Sequence, residues 1–438
     1  MGQGVSFKQS RGRRDLGPAS GVFNCQDGPG LVFGIPQTLV DFMDLGPGDF
    51  ARIREDFPGT ERRAYFDVAA RALLPKSTRK AVDDYLDTLM SEGGNKPAMF
   101  DVVESARARF AKLIGATTDE IAITKNVSEG LNIIATAYPW KAGDRVDICG
   151  DREHPNNLYI WQHLAARCGI EVVSVPSRDQ QFIADHLIAK LDSRVRMVSV
   201  SSVTFHPGLR TDLDALAEAC DHHGALLLVD GVQSVGVTHL DIQNTRLGAL
   251  AVSTQKGLLA LYGFGFLYCR RDWAERLEPT YLARFGVDLG DAHEAEGGMT
   301  AYKFMPGARR FDLGNYNFTG ATAVNNSLEI LLGIGTQAIE KHVTALSRRL
   351  FEGMIEAGLT VFGGPFGPHF TNMVTIAPQK DDKDFTERLE KVLANEQVRL
   401  SIRRGALRFS SHCYNTPEEV DHIIDVTRRF MRLNSKKH

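Results

Sequence analysis

The chain has 438 residues, and its 51 Lys and Arg side chains nearly balance its 54 Asp and Glu, for a formal charge of −3. Hydrophobic residues make up 43% and charged residues 24%, which is typical of a globular protein and excludes a wholly disordered chain. The near-zero charge argues against nucleic acid as the main partner, because phosphate binding needs a concentrated positive field. The six cysteines are scattered without CxxC spacing, so the sequence indicates neither a metal site nor a disulfide framework, and we expect a cytoplasmic location.

No stretch reaches the about 20 apolar residues that a membrane-spanning helix needs. The longest, from Leu258 to Cys269, is interrupted by Gly263 and Gly265. We therefore expect no membrane partner.

The chain divides into three parts by its pattern of apolar residues. Residues 1–64 are rich in Gly and Pro and predict an extended arm with one short helix near Leu39–Leu45. Residues 65–320 alternate short apolar runs with helical segments, which predicts an α/β domain with a mostly parallel sheet covered on both faces. Residues 321–438 show long helices, a Gly/Pro loop, short strands and a final helix from Pro417, which predicts a smaller α+β domain. The predicted strands of the large domain are Ile121–Thr124, Val146–Cys149, Val172–Val175, Met197–Val200, Leu226–Val229, Ala249–Ser253 and Phe264–Cys269.

Polar clusters follow four of these strands, at the sheet edge where parallel sheets bind ligands. After the first strand, Ser128 stands where a helix begins, which suits a phosphate, although taken alone this position is more typical of an ordinary N-cap. After the second, His154 could lie over an aromatic ligand or simply form local hydrogen bonds.

The other two clusters contain an acid and a lysine. Asp230 ends an apolar strand, and a buried carboxylate needs a partner, which a protonated ring nitrogen would supply; a structural cap is the alternative. Lys256 follows the next strand between two apolar stretches, although a lysine reaching from the loop to solvent would give the same pattern.

Taken in this order, the clusters resemble the fold-type I pyridoxal-phosphate enzymes of the class V aminotransferase branch, which includes cysteine desulfurases and isopenicillin N epimerase-like proteins. The resemblance extends from about Tyr65 to Thr427. It implies a three-layer α/β/α large domain, with a smaller α+β domain built from N- and C-terminal segments. It also implies pyridoxal 5′-phosphate as the cofactor and a homodimer with shared active sites.

The resemblance gives each matching residue a role toward the cofactor. Lys256 would hold it covalently, and Asp230 would keep its pyridine nitrogen protonated. His154 would stack on the ring and Gln233 would hydrogen-bond the phenolic oxygen. The phosphate would be held by the helix N-terminus at Val127 and Ser128, by Ser253 and Gln255, and by Thr319 from the neighbouring subunit.

On the substrate side, Arg408 matches the arginine that binds the substrate carboxylate, a role that suits a bidentate guanidinium, and Arg403 is a second candidate. The chain departs from the desulfurases because it has no cysteine on a loop shortly before Arg408, which disfavours persulfide transfer. Phe205 stands where desulfurases have Asn and where epimerase-like and C–S lyase relatives often have an aromatic residue. Gln255 stands where this branch usually has His, as in alanine–glyoxylate-type aminotransferases.

The predicted function is therefore that of a pyridoxal-phosphate enzyme that forms a Cα carbanion from an amino acid. Loss of a β-substituent would make it a lyase, reprotonation on the other face an epimerase, and protonation at the cofactor carbon an aminotransferase. We favour a lyase or an epimerase over an aminotransferase, by analogy with the family. The remaining alternative is a non-catalytic scaffold that retains the fold.

Overall fold

The computed structural model describes residues 49–177, 183–290, 302–379 and 381–434. The predicted helix near Leu39–Leu45, and the predicted arm up to residue 48, lie outside these residues.

A seven-stranded sheet forms the centre of the molecule, in the order β2-β8-β7-β6-β5-β3-β4. Its strands are β2 (Ile121–Thr124), β3 (Arg145–Ile148), β4 (Glu171–Ser174), β5 (Val195–Ser201), β6 (Leu226–Asp230), β7 (Ala249–Ser253) and β8 (Gly265–Cys269). Strand β8 runs antiparallel to both of its neighbours, β2 and β7, and the other neighbouring pairs of this sheet are parallel.

Apart from the edge strand β4, the sheet is buried on both faces, which explains why β2, β6, β7 and β8 are apolar at consecutive positions rather than at alternate ones. In β6, Leu227 and Val229 pack into one hydrophobic cluster, whereas Leu226 and Leu228 pack into another. Helices cover each face, so the large domain has three layers, as the fold prediction required. The helices between residues 50 and 274 are α1 (Phe50–Arg54), α2 (Lys76–Glu92), α3 (Lys96–Ile114), α4 (Val127–Ala137), α5 (Asn156–Cys168), α6 (Ile183–Ile188), α7 (Leu213–His223) and α8 (Arg271–Ala274).

A second, antiparallel sheet has the strand order β11-β14-β13 and packs with helices from the last third of the chain. Its strands are β11 (Met373–Ile376), β13 (Ser401–Arg403) and β14 (Ala406–Ser410). The helices of this part of the chain are α9 (Phe318–Ile334), α10 (Thr336–Glu356), α11 (Phe385–Asn395) and α12 (Pro417–Asn434).

Two short strand pairs complete the fold. The pair β1 (Ala64–Tyr65) and β12 (Val398–Arg399) is parallel, and it joins the start of the described chain to its C-terminal part. The pair β9 (Val287–Asp288) and β10 (Lys303–Phe304) is antiparallel. No helix in the described ranges is both long enough and apolar enough to cross a membrane.

Candidate active site

The sheet brings the carboxyl ends of three neighbouring strands together. In the register, Ser201 at the end of β5 lies opposite Asp230 at the end of β6, and Asp230 lies opposite Ala251 of β7. The turn after β7 carries Lys256 back toward this edge. A Cβ atom on Gly257 would lie 2.3 Å from the Val235 carbonyl oxygen, so the close approach of this turn requires glycine.

Two adjoining cavities open at this edge. The first, of about 200 Å³, contains Asp230 and Gln233, and we call it the inner cavity. The second, of about 440 Å³, contains Arg403 and Arg408, and we call it the outer cavity. Both are lined by Ala70, His154, Phe205, Lys256 and Tyr262, so these residues form the boundary between them.

Asp230 is 5% exposed and its carboxylate is held by two donors. The Val232 N–H donates to Oδ1 at 2.9 Å, and the Asn157 side-chain amide donates to Oδ2 at 2.9 Å. Burial raises the pKa of Asp230, while these two hydrogen bonds and Lys256 oppose that rise. The carboxylate therefore lacks a full counter-ion and is suited to pair with a cation in the inner cavity.

Burial lowers the pKa of Lys256 to about 8, and Arg408 and Arg403 add to this effect by repulsion, whereas Asp230 opposes it. A lysine with such a pKa has an appreciable neutral fraction near neutrality and can act as a nucleophile or a base.

His154 is positioned by its backbone neighbours and by an aromatic ring. Its Nδ1 accepts a hydrogen bond from the Asn156 N–H at 3.2 Å, and its ring meets the Phe205 ring edge-on with centroids 4.9 Å apart. Burial, followed by repulsion from Lys256, lowers the pKa of His154, so the neutral ring is favoured. A neutral imidazole can lie flat against an aromatic ligand at a low desolvation cost.

The N-terminus of α4 adjoins the inner cavity, and Asn126 caps it through a hydrogen bond to the Glu129 N–H. Val127 lines the cavity, and its N–H donates to Ser253 Oγ at 2.7 Å. Ser128 and Ser253 are not among the lining residues; the Ser128 hydroxyl instead accepts a hydrogen bond from the Asn156 side chain at 3.0 Å. Helix N-termini such as this one favour anions.

The structure does not bring all of the predicted cofactor contacts into the inner cavity. Gln233 and Gln255 line it, and the Gln233 side-chain amide also donates to the Ala69 carbonyl at 3.1 Å. Thr319, in the first turn of α9, lines neither cavity of its own chain.

The two predicted substrate arginines lie on the same face of the small sheet. Arg408 faces Ser401 in the register, and Arg403 faces Ala406. Arg408 is fully buried, donates to the Phe205 carbonyl at 2.9 Å, and has no partner for its Nε among the described residues. Burial and the Arg403 charge lower the pKa of Arg408 to about 10. An anion in the outer cavity would relieve both the desolvation and the repulsion.

Two residues at this edge carry contacts that sequence reasoning did not predict. Asn157 and Glu153 are both nearly inaccessible, and the Asn157 amide nitrogen is within hydrogen-bond distance of the carboxylates of both Glu153 and Asp230. Their positions around His154 were the only signal in the sequence, because their contacts reach 44 to 73 residues along the chain.

None of the cysteines in the described ranges lines either cavity, and Cys25 lies outside those ranges. Cys413 is fully buried, and burial raises the pKa of its thiol. A thiol in that state is a packing residue rather than a nucleophile. A larger cavity, of about 680 Å³, lies elsewhere and contains none of the predicted site residues.

The residues of the two cavities fit pyridoxal phosphate. Two of their buried polar atoms, Asn157 Oδ1 and Arg408 Nε, have no hydrogen-bond partner in the described part of the chain, and both residues line the cavities. The amine of Lys256 lies between a carboxylate at the inner end and a guanidinium at the outer end. This donor set suits an aromatic aldehyde with a basic ring nitrogen, joined to an amino acid.

Comparison with known proteins identifies the class. Residues 64–423 match the class V aminotransferase family, and the chain belongs to that family. It is accordingly a pyridoxal-phosphate-dependent enzyme with the PLP transferase fold, as its resemblance predicted.

Individual relatives carry different activities in their names. The chain is 30% identical over 372 residues to the uncharacterized aminotransferase YcbU of Bacillus subtilis, covering 85% of this chain and 95% of the relative. It is 27% identical to a probable cysteine desulfurase of Pyrococcus abyssi, with 87% and 97% coverage. Among solved structures, the apo cysteine desulfurase of Thermococcus onnurineus superposes with a TM-score of 0.77 at 24% identity, covering 87% of this chain and 98% of that one. The cystine C–S lyase C-DES, in complex with cysteine persulfide, also has a TM-score of 0.77, at 22% identity, with 85% and 99% coverage.

Proposed function

We propose that this protein is a lyase that removes a β-substituent, such as a thiol, from an amino acid by breaking a C–S bond. The observation that carries the proposal is the position of Lys256, on the boundary between a cavity that ends in Asp230 and one that ends in Arg408. That arrangement puts the reacting amino acid between an electron sink on one side and a carboxylate-binding group on the other.

Pyridoxal phosphate, when bound, supplies the electron sink that stabilises negative charge at Cα. The protein's residues do the rest. Asp230 holds a proton at the ring nitrogen, His154 covers the ring face, and the N-terminus of α4 at Val127 binds the phosphate together with Gln255. Ser128 and Ser253 support this phosphate site through their contacts with Asn156 and Val127.

The substrate is oriented by the arginines. Arg408 binds the α-carboxylate, and Arg403 adds positive charge on the same face of the sheet. The neutral amine of Lys256 takes the Cα proton, the Cβ–S bond breaks with its electron pair leaving on sulfur, and a Cα–Cβ double bond forms. The sulfur leaves as a thiol with the proton that Lys256 took from Cα. Cβ then gains a proton from water, and hydrolysis of the resulting imine gives a 2-oxo acid and ammonium, with the keto oxygen supplied by water.

The absence of a cavity-lining cysteine in the described ranges favours release of the sulfur product over its transfer to the enzyme. Phe205 contributes an apolar wall to both cavities, where it would exclude water from the reacting bond. The outer cavity, at about 440 Å³, has room for a substituent larger than a methyl group.

The test is to incubate the holoenzyme with a panel of cysteine conjugates and measure thiol and 2-oxo acid. We expect equal amounts of both products and no requirement for a second 2-oxo acid. The Arg408→Lys variant should raise KM more than it lowers kcat, because a lysine keeps the charge but loses bidentate geometry. Inversion of the substrate without thiol release would contradict the lyase assignment.

The alternative activity is amino transfer to a 2-oxo acid. It is favoured by the relative at 30% identity, which is named as an aminotransferase, and by Gln255 before the lysine. The same panel separates the two activities, because an aminotransferase would produce a new amino acid from the added 2-oxo acid and leave the C–S bond intact.

We also propose that the enzyme is a homodimer with shared active sites. Thr319 lines neither cavity of its own chain, and α2 leaves Leu86 and Met90 41% and 85% exposed. A partner subunit would cover this apolar surface and bring Thr319 to the other subunit's phosphate. Mixing and refolding the inactive Lys256→Ala and Thr319→Asp variants should restore activity. One site of each mixed dimer would then be intact, with Lys256 from one chain and Thr319 from the other. A mixture without activity would contradict shared active sites.

A further inference from the structure

Glu153 is a buried acid that the proposed reaction does not use. It is 2% exposed and immediately precedes His154. The Ser201 N–H donates to its Oε1 at 2.7 Å, and the Ser201 hydroxyl donates to its Oε2 at 2.5 Å. A cation, Arg404, approaches only the Glu153 backbone carbonyl, at 3.4 Å. Burying a carboxylate with no cation paired to its oxygens is unfavourable, which indicates that its negative charge has a role.

The Asn157 side chain links this acid to Asp230. Its amide nitrogen is 2.7 Å from Glu153 Oε2 and 2.9 Å from Asp230 Oδ2, so each of its two hydrogens has a carboxylate acceptor. These two acceptors determine the orientation of the Asn157 amide group, because the flipped orientation would place the amide oxygen next to two carboxylates. The Asn157 oxygen is consequently left without a partner in the described part of the chain.

The two carboxylates also act on each other through charge. Burial and, to a smaller extent, the charge of Asp230 raise the pKa of Glu153 to about 7, although the hydrogen bonds from Ser201 and Asn157 oppose this rise. Burial likewise raises the pKa of Asp230. A cation next to Asp230 would stabilise the ionised form of both, and by reciprocity both would stabilise that cation.

We propose that Glu153 is a positioning residue that orients the Asp230 carboxylate through Asn157 and adds a second negative charge behind it, so that the cofactor's ring nitrogen retains its proton. This inference rests on the proposed placement of the ring nitrogen beside Asp230. Glu153 lines neither cavity, so it would act only through the other two side chains.

The experiment measures the protonation of the ring nitrogen directly. Wild type and the Glu153→Gln, Asp230→Asn and Ser201→Ala variants are reconstituted with cofactor labelled with ¹⁵N in the ring, and the ¹⁵N chemical shift is followed against pH. Gln is isosteric but removes the charge and presents a donor to the Asn157 amide. We expect the pKa of the ring nitrogen to fall by at least about one unit in Glu153→Gln, which is tenfold in proton affinity. Ser201→Ala removes the hydroxyl that donates to Glu153, which raises the pKa of this carboxyl and weakens its negative charge, so it should shift the ring-nitrogen titration in the same direction as Glu153→Gln but by less.

The outcomes separate this inference from the proposed function. An unchanged titration in Glu153→Gln, with loss of the protonated signal in Asp230→Asn, would overturn the role of Glu153 and keep the placement of the ring. An unchanged signal in Asp230→Asn would overturn the placement itself. If Glu153→Gln does not fold or bind the cofactor, Asn157→Ala provides the second variant: it breaks the same link, and an unchanged titration in it would equally overturn the inference.

Discussion

The amine of Lys256 has a lowered proton affinity because it is buried and faces two arginines. With a pKa of about 8, roughly a tenth of it is neutral at pH 7, whereas an ordinary lysine is almost wholly protonated there. The neutral form of a lysine increases with pH, so reactivity should rise through pH 8 and then level off.

We predict that the apoenzyme's Lys256 reacts with an amine-specific acylating reagent with a midpoint near pH 8. Peptide mass spectrometry would follow the labelling at each pH. Lys125, whose side chain is 78% exposed, is the control within the same sample. Parallel profiles for the two lysines would contradict the lowered pKa.

Sequence reasoning at this scale identified single residues more easily than their partners. Lys256, Asp230 and His154 were predicted as candidates because each follows an apolar strand, and the sheet does bring them together. The contacts of Glu153 and Asn157 could not be predicted, since they depend on side-chain directions across separate strands. Which chain supplies Thr319 to a site depends on an assembly that one sequence does not specify.

At the scale of elements, a buried ion pair attaches the segment before α9 to the large domain. Asp312 accepts hydrogen bonds from the Ile123 N–H of β2 at 2.8 Å, from Arg107 of α3 at 2.7 Å and from the Tyr316 hydroxyl at 2.9 Å. Arg107 is fully buried and also donates to the Ile121 carbonyl. Breaking this pair would leave Arg107 with only the partly exposed Glu104, 3.2 Å from its Nε, as a counter-ion.

We predict that Asp312→Asn lowers the free energy of unfolding by about 3 kcal/mol, because Arg107 then keeps only Glu104, whose side chain is 42% exposed, as a counter-ion. Chemical denaturation of the apoenzyme measures the change. The control is Glu352→Gln, on an exposed ion pair of α10 at 3.8 Å, which should cost less than about 0.5 kcal/mol. Equal effects of the two substitutions would contradict the structural importance of the buried pair.

The boundaries of several elements were predictable, whereas the direction of one strand and the burial of one helix were not. Ile121–Thr124 and Ala249–Ser253 coincide with β2 and β7, because each is a short apolar run between polar segments. The antiparallel direction of β8 has no signal in residue periodicity. Helix α2 has Val82, Leu86 and Leu89 at helical spacing, which would predict a buried face, but Leu86 is 41% exposed in the single chain.

At the scale of the whole molecule, His412 connects the C-terminal part of the chain to the turn that carries Lys256. Its Nδ1 accepts a hydrogen bond from the Cys413 N–H at 2.7 Å, so the proton is on Nε2, which donates to the Gly257 carbonyl at 3.0 Å. Burial lowers the pKa of His412 to about 4. Since the unfolded value is higher, near 6.5, the stabilisation from the neutral ring is complete above pH 6.5 and is lost as the pH falls toward 4.

We predict that protonation of His412 lowers the free energy of unfolding of the apoenzyme by about 2 kcal/mol when the pH falls from about 7.5 to about 5. The estimate uses about 1.4 kcal/mol per pKa unit. His412→Gln, which keeps a donor but cannot titrate, should show a correspondingly smaller loss. Urea denaturation at the two pH values compares them. The same pH dependence in both proteins would contradict the buried neutral histidine.

The overall architecture followed from the sequence because alternating strands and helices restrict a chain of this length to few folds. The pairing of Ala64–Tyr65 with Val398–Arg399 did not, because strands of two residues carry no periodicity. Contacts between distant parts of the chain, such as His412 with Gly257, likewise become visible only in the folded molecule.

The covalent attachment of the cofactor to Lys256 tests the account most directly. The purified holoenzyme would be reduced with borohydride, digested and analysed by mass spectrometry, with Lys256→Arg treated in parallel. The account predicts one phosphopyridoxyl adduct, on the peptide that contains Lys256, and none in the variant. An adduct on a different lysine, or no adduct in a wild-type sample that contains the cofactor, would contradict it.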